Sequence, residues 1–234
     1  MTILALDYIR FLYVSIYSRE SMSGPLRSLV FVHTALRNEL NGLAKLAHAV
    51  AKGESDMETL RERFEWATYA LHYHAAGEDA ALFPAVEAKH PGVVMTFDDD
   101  HQTDDALVEK MKQFLEADNA QDNLDDIARL SDQLADRASL HMDKEERLLV
   151  PFVEEHFSME EQGAILGGMM QAFPPEFMLK GVPWIFSHLD ESLRISYAMA
   201  LKGAMPAEPF AMHMSNVEQQ LGASEWAPIA AAIA

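Results

Sequence analysis

Two segments of the chain put a histidine and a glutamate four residues apart: HAAGEDAALFP from His74 to Pro84 and HMDKEERLLVP from His141 to Pro151. Their glutamates Glu78 and Glu145, the following acids Asp79 and Glu146, the apolar pairs Leu82–Phe83 and Leu149–Val150, and the prolines fall at matching offsets. Each copy is preceded at nearly the same distance by a further histidine, His33 ahead of His74 and His101 ahead of His141. On a helix, residues four apart stack on one face, so each His–Glu pair can aim at one point. Imidazole mixed with carboxylate suits iron, manganese or zinc better than calcium or magnesium, which prefer shells of oxygen alone. One such pair arises by chance in any helical chain. Two in register, each with a partner histidine, are a much stronger signal of a metal site.

Four helices are needed to carry these residues, and the hydrophobic periodicity supplies them. Pro25 suits a helix opening, and apolar residues recur from Leu26 through Leu29, Val30, Leu36, Leu40, Leu43 and Ala47 until Gly53, with His33 on that stripe. A capping box from Ser55 to Glu58 predicts a second helix with the stripe Met57, Leu60, Phe64, Ala67, Leu71, His74, Glu78, Leu82. The run Asp98, Asp99, Asp100 is expected to cap a third, with His101, Asp104, Leu107, Met111 and Phe114 in line. The fourth reads Leu124, Ile127, Leu134, Ala138, His141, Glu145, Leu148, Phe152. Amphipathic helices with short connections favour an all-α, up-down-up-down four-helix bundle over residues 22–157, whose core is where facing side chains build metal sites. A buried His or Glu is costly unless paired or coordinated, and six of them on inward faces point to coordination.

The flanks read differently. Residues 158–234 are expected to form a helical accessory region packed on the bundle. Ser158 and Glu161 make another capping box, that helix ends before Pro174 and Pro175, Pro183 opens a further helix, and the stretch from Pro206, rich in Pro, Met and Ala, looks loosely structured. Residues 1–21 are apolar but carry Asp7 and Arg10 and no leading basic cluster. They fit a peripheral or disordered extension better than a membrane span or a secretory signal, and Met22 offers an alternative start.

Composition narrows the chemistry. The 234 residues contain 49% hydrophobic residues, enough for a substantial core. The absence of cysteine excludes disulfides, iron–sulfur clusters and thiolate metal sites and agrees with a cytoplasmic location. A formal net charge of -19 repels phosphate backbones and anionic lipid, so neither nucleic acid nor membrane is an expected partner, whereas cations are.

With these residues in hand, the chain resembles the hemerythrin-like, or HHE cation-binding, family over residues 25–157. The resemblance implies a four-helix bundle holding two non-heme iron ions, with His33, His74, Glu78, His101, His141 and Glu145 as ligands and the two carboxylates bridging the irons. In the oxygen carriers a second histidine stands one turn after the position of His101, where this chain has Asp105, and the fourth-helix carboxylate falls at Glu146 instead of Glu145. The chain therefore looks like the bacterial H–HxxxE–H–HxxxE variant, one histidine short of the carrier.

That resemblance implies a protein that binds and reacts with dioxygen or peroxide, leaning to a diiron oxidoreductase that disproportionates peroxide or oxidises a small molecule. The irons would be bridged by oxo or hydroxo, and a homodimer is left open as the assembly. A non-catalytic sensor or buffer of oxygen, nitric oxide or iron is the alternative, and a structural zinc or manganese protein a third. Asp105 and Glu146 are expected as acceptors for ring N–H groups more than as ligands. His188 is read as a satisfied core histidine before an extra ligand, Tyr69 and Tyr73 as packing before iron donors, and His48, His72, His90 and His156 as solvated side chains or helix-end partners.

Overall fold

The computed structural model describes residues 24–234, and the expectations for residues 1–21 and for Met22 lie outside them. The structure is 88% helical with no strand among the described residues. A 3₁₀ turn at Pro25–Ser28 leads into α1, Leu29–Ala51. Helix α2 runs without a break through Met57–Gly77, Glu78–Leu82 and Phe83–Lys89. Helix α3 is Met95–Glu116, and α4 runs through Leu124–Lys144, Glu145–Leu149 and Val150–His156. Helix α1 packs on α2 and α4, and α3 on α4 and more loosely on α2, so chain neighbours are also spatial neighbours around an all-α, up-down-up-down bundle. No helix among the described residues is long and apolar enough to cross a membrane.

Both histidine–glutamate copies depart from regular α-helix at the same place. Glu78–Leu82 and Glu145–Leu149 each form a π turn, closed by the N–H of Phe83 on the Glu78 carbonyl and of Val150 on the Glu145 carbonyl. Pro84 and Pro151 follow immediately, lacking an N–H and bulky against the carbonyl four residues back. The wider turn absorbs both defects. It also adds a residue to the turn, which moves the buried face one position on. Leu149, Val150 and Val153 are buried, while Leu148, expected on the inward stripe, is 62% exposed.

Three helix starts differ from expectation. The side chain that caps α2 is Asp56, accepting from the Thr59 N–H at 2.9 Å, one residue after Ser55. Helix α3 begins at Met95 with no side-chain cap, which leaves Asp98–Asp100 inside the helix and frees Asp100 for other partners. Pro183 does not open a helix but lies buried within Pro175–His188, where Pro175 occupies the first turn. The helix bond lost at Pro183 is offset by burial of Phe177, Val182, Trp184 and Phe186 around it.

The carboxyl-terminal region is helical throughout: α5 Met159–Gln171, α6 Pro175–His188, α7 Glu191–Ala204, α8 Ala207–Leu221 and α9 Ala223–Ile233. The Ser158–Glu161 capping box of α5 forms as the sequence predicts. The stretch from Pro206, expected to be loose, forms two helices because Pro206 precedes α8 and Gly222, at φ +77°, marks the break before α9. Val182, Phe186, Ala198, Leu201, Met214, Val217 and Ile229 give these helices a core of their own. Helix α6 lies on α1, and α5 lies on the first π turn. There Gly168 is required: a Cβ on it would stand 2.9 Å from the Cβ of Ala81.

Candidate metal centre

Each bundle helix carries its histidine between two apolar clusters. His33 lies between Leu29 and Leu36, His74 between Leu71 and Leu82, His101 between Phe97 and Met111, and His141 between Ala138 and Leu149. The result is one polar layer between two apolar clusters. All four histidines are at most 7% exposed, and Glu78 and Glu145 are fully buried.

The structure brings the six residues into two overlapping groups of four. His33, His74, Glu78 and Glu145 offer ligand atoms all within 4.8 Å of one another, as do His101, His141, Glu78 and Glu145. Both carboxylates belong to both groups. Oε2 of Glu145 is 3.4 Å from His33 Nε2 while its Oε1 is 3.3 Å from His141 Nε2. Oε2 of Glu78 is 3.5 Å from His74 Nε2 and 3.3 Å from His101 Nε2. His101 and His141 bring their Nε2 atoms to 3.0 Å, a spacing that admits one proton between them.

Among the buried atoms here, His33 Nε2, His74 Nε2 and both oxygens of Glu78 and of Glu145 have no hydrogen-bond partner. Leaving that many buried acceptors unmatched would cost several kcal/mol in all, and cations at the two foci would satisfy them together. The donor set is nitrogen and oxygen in equal groups, which fits borderline transition metals. The residues present therefore fit a pair of metal ions.

Three of the four histidines are backed by carboxylates on their far nitrogen. Glu146 Oε1 accepts from His33 Nδ1 at 2.9 Å, Asp79 Oδ1 from His101 Nδ1 at 2.9 Å, and Asp100 Oδ2 from His141 Nδ1 at 3.2 Å. An N–H committed at Nδ1 leaves Nε2 as the lone-pair nitrogen turned to the focus. Arg37 donates to both Glu146 and Asp143, and Lys144 pairs closely with Asp100.

These contacts set the charge pattern. Burial, with the neighbouring positive histidines, drives His74 well below its ordinary range. Burial, reinforced by the negative charge of Glu145, raises Glu78. For Glu145 burial is outweighed by the approach of His141 at 3.3 Å and the positive charge of the histidines around it, so it is lowered. Burial also opposes protonation of His101, but its bond to Asp79 and the neighbouring Glu78 carboxylate prevail and push it up to about 10. The layer is thus tuned to hold positive charge on the His101–His141 side.

The remaining candidates lie elsewhere. Asp105 is exposed and turned away from the layer, so it does not back a ring N–H as expected; Asp104, one residue earlier, is buried, with Oδ1 3.5 Å from Arg137 Nε. His188 places Nε2 2.9 Å from Glu39 and Nδ1 2.9 Å from the Trp184 carbonyl, away from both ligand groups. Tyr69 and Tyr73 pack edge-on to each other and against Phe177 of α6. Asp79 and Asp100 were missed as partners of the histidines. The position of Asp79 beside Glu78, matched by Glu146 beside Glu145, was the available signal.

Fold and site together define a helical bundle built to bind metal cations. The description of the hemerythrin HHE cation-binding domain matches residues 24–153, more than half of the chain, and the chain belongs to that family. It is similar to zinc finger protein BRUTUS of Arabidopsis thaliana, 27% identical over 187 residues that cover 79% of this chain and 15% of that protein. It is also similar to the BRUTUS-like protein At1g74770 of the same plant, 26% identical over 204 residues, covering 83% of this chain and 16% of that protein. The chain thus spans about 15% of the length of these curated relatives. No solved structure matches it.

Proposed function

We propose that this chain is a non-heme diiron protein that engages dioxygen or peroxide, with peroxide disproportionation or oxidation of a small molecule as its chemistry. The observation that carries the reading is the sharing of Glu78 and Glu145 between two four-residue ligand groups, with four carboxylate oxygens otherwise unmatched. His33 and His74 would hold one iron and His101 and His141 the other, with both carboxylates common to the two. Bound there, a pair of irons supplies two electrons within one site, the number that takes dioxygen to peroxide or peroxide to water.

The chain's own residues prepare that site. Glu146, Asp79 and Asp100 engage Nδ1 and fix the ring orientation, so that Nε2 is the nitrogen turned to a cation, which would displace the proton shared by His101 and His141. Phe83 stacks on His101 and Phe97 lies against His141, so apolar surface keeps bulk water from that side. Asp100, in contact with both His141 and Lys144, connects the layer to a partly exposed proton donor. One carrier-type histidine is missing, and Asp105 does not replace it, which favours turnover over reversible carriage.

A second reading, a sensor or buffer, is supported by the seat of α5 on the Glu78–Leu82 turn: a shift at Glu78 would be felt by the carboxyl-terminal layer through Ala81 and Gly168. Metal analysis with an optical spectrum of aerobically purified protein separates the readings. Two irons per chain with near-ultraviolet bands of a bridged diferric pair support the proposal, and zinc without such bands defeats it.

A further inference from the structure

A line of oxidisable rings leaves the ligand layer at His74 and ends at the surface. Tyr73 is joined through the backbone to His74, and its ring centroid is 4.8 Å from that of Tyr69. Tyr69 is 5.9 Å from Trp66, and Trp66 is 5.9 Å from Trp184 of α6. Three of the four sit on one face of α2, at positions 66, 69 and 73, facing α6. Phe177 packs among them, yet tyrosine and tryptophan are the side chains that readily give up one electron, and here they are contiguous. The indole N–H of Trp184 donates to Glu39 at 3.2 Å, a buried carboxylate whose negative charge favours an electron-poor indole.

The far end of the line opens on a shallow surface groove of about 440 Å³. Trp66, Trp184 and Pro183 form its apolar walls, Asn216 and Gln219 supply amides, and Lys180 is its charged group. None of its lining residues is acidic, in a chain of formal net charge -19. Flat apolar walls, amides and one cation match a planar phenol, neutral or carrying a carboxylate.

We propose that this groove binds a phenolic one-electron donor and that Trp184, Trp66, Tyr69 and Tyr73 conduct its electrons toward His74. The overall reaction balances with peroxide as oxidant: hydroquinone loses two electrons and two protons to become benzoquinone, and hydrogen peroxide takes up both and becomes two waters. Within the line, oxidised Tyr69 regains an electron and a proton while Trp66 loses one of each, and the phenol restores Trp66 through Trp184; flash oxidation reads the reverse exchange between the same rings. The proposal takes its electron acceptor from the diiron reading above, but its decisive measurements use metal-free protein, so the two can fail separately.

In a Trp226→Phe background, flash oxidation of metal-free protein with a ruthenium tris-bipyridyl sensitiser and persulfate generates tryptophan radical only at Trp66 and Trp184 among the three tryptophans. Its visible band should give way to the tyrosyl band, and should persist when Tyr69 and Tyr73 are both Phe. Quenching of tryptophan fluorescence by 4-hydroxybenzoate should saturate, and Lys180→Ala should weaken binding about tenfold, as loss of a charge-assisted contact does. In iron-loaded protein, Trp66→Phe should slow hydroquinone oxidation by peroxide and leave peroxide disproportionation unchanged. Radical decay that ignores both tyrosines, or no saturable binding of 4-hydroxybenzoate, overturns the proposal and leaves the rings as packing alone.

Discussion

Glu146 accepts a hydrogen bond from Nδ1 of His33 at 2.9 Å, across the bundle from α4 to α1. The same relation repeats between Asp79 and His101 at 2.9 Å, from α2 to α3. Each histidine–glutamate copy therefore serves the lone histidine of another helix twice, once with a bare carboxylate toward the focus and once with the next residue toward the back of the ring. Glu145 and Glu146 hold His33 between them, and Glu78 and Asp79 hold His101.

Removing these backing charges should loosen metal without unfolding the bundle. Glu146→Gln and Asp79→Asn are each expected to lower cation affinity by about 10–100-fold, the usual cost of losing an outer partner of a ligating histidine. Competition titration with a chelator reads the affinity, and thermal melts of the metal-free proteins check the fold. Wild-type affinity in both variants would show that the contacts do not act on the ligands.

The ligands themselves can be separated from the other histidines. His74→Ala should lower iron content and abolish peroxide or oxygen reactivity. His48→Ala should change neither, because His48 is 48% exposed and pairs with Asp132 at the surface. Full iron and full activity in His74→Ala would exclude the α2 assignment.

On α3 the two adjacent aspartates should behave oppositely. Asp105→Ala removes an exposed carboxylate and should leave stability within about 0.5 kcal/mol and metal content unchanged. Asp104→Ala removes a buried negative charge beside the His101–His141 side and should weaken cation binding. Metal analysis of the two variants decides it, and the reverse order would mean that the face of α3 is misassigned.

How much of this was legible follows from what periodicity can carry. The bundle and the six gathered residues were legible because ligand and apolar positions share one helical stripe, from Leu71 to Glu78 and from Ala138 to Glu145. The π turns were not: a one-residue slip leaves Leu148 and Leu149 equally apolar in the sequence, and only the exposure of Leu148 reveals it. Asp100 was hidden because its histidine lies on another helix, whereas Asp79 was signalled by its match to Glu146. Asp100 was read as a cap because an acidic run before a stripe is the ordinary sign of a helix start. Prolines misled in the carboxyl-terminal region, where tertiary packing sustains α6 through Pro183.

The junction between bundle and carboxyl-terminal region carries a pH dependence of known sign. Burial alone would raise Glu39, but its bonds to His188 and Trp184 and the Arg63 guanidinium outweigh it and lower the carboxyl from 4.5 to about 2. Because the folded value is depressed, this contribution is complete above 4.5, shrinks as pH falls below it, and is lost below about 2. It amounts to at most roughly 3 kcal/mol. Urea unfolding of metal-free protein should therefore lose stability faster on acidification in wild type than in Glu39→Gln. Parallel curves would remove Glu39 as a pH-linked tie between α1 and α6.

The number of metal ions per chain tests the central claim most directly. Protein with all six ligands intact, reconstituted anaerobically with ferrous iron, freed of excess and measured by elemental analysis against protein concentration, should hold two irons, one for each group of buried ligands. A saturating value of one iron per chain, with His33, His74, Glu78, His101, His141 and Glu145 all present, would contradict it.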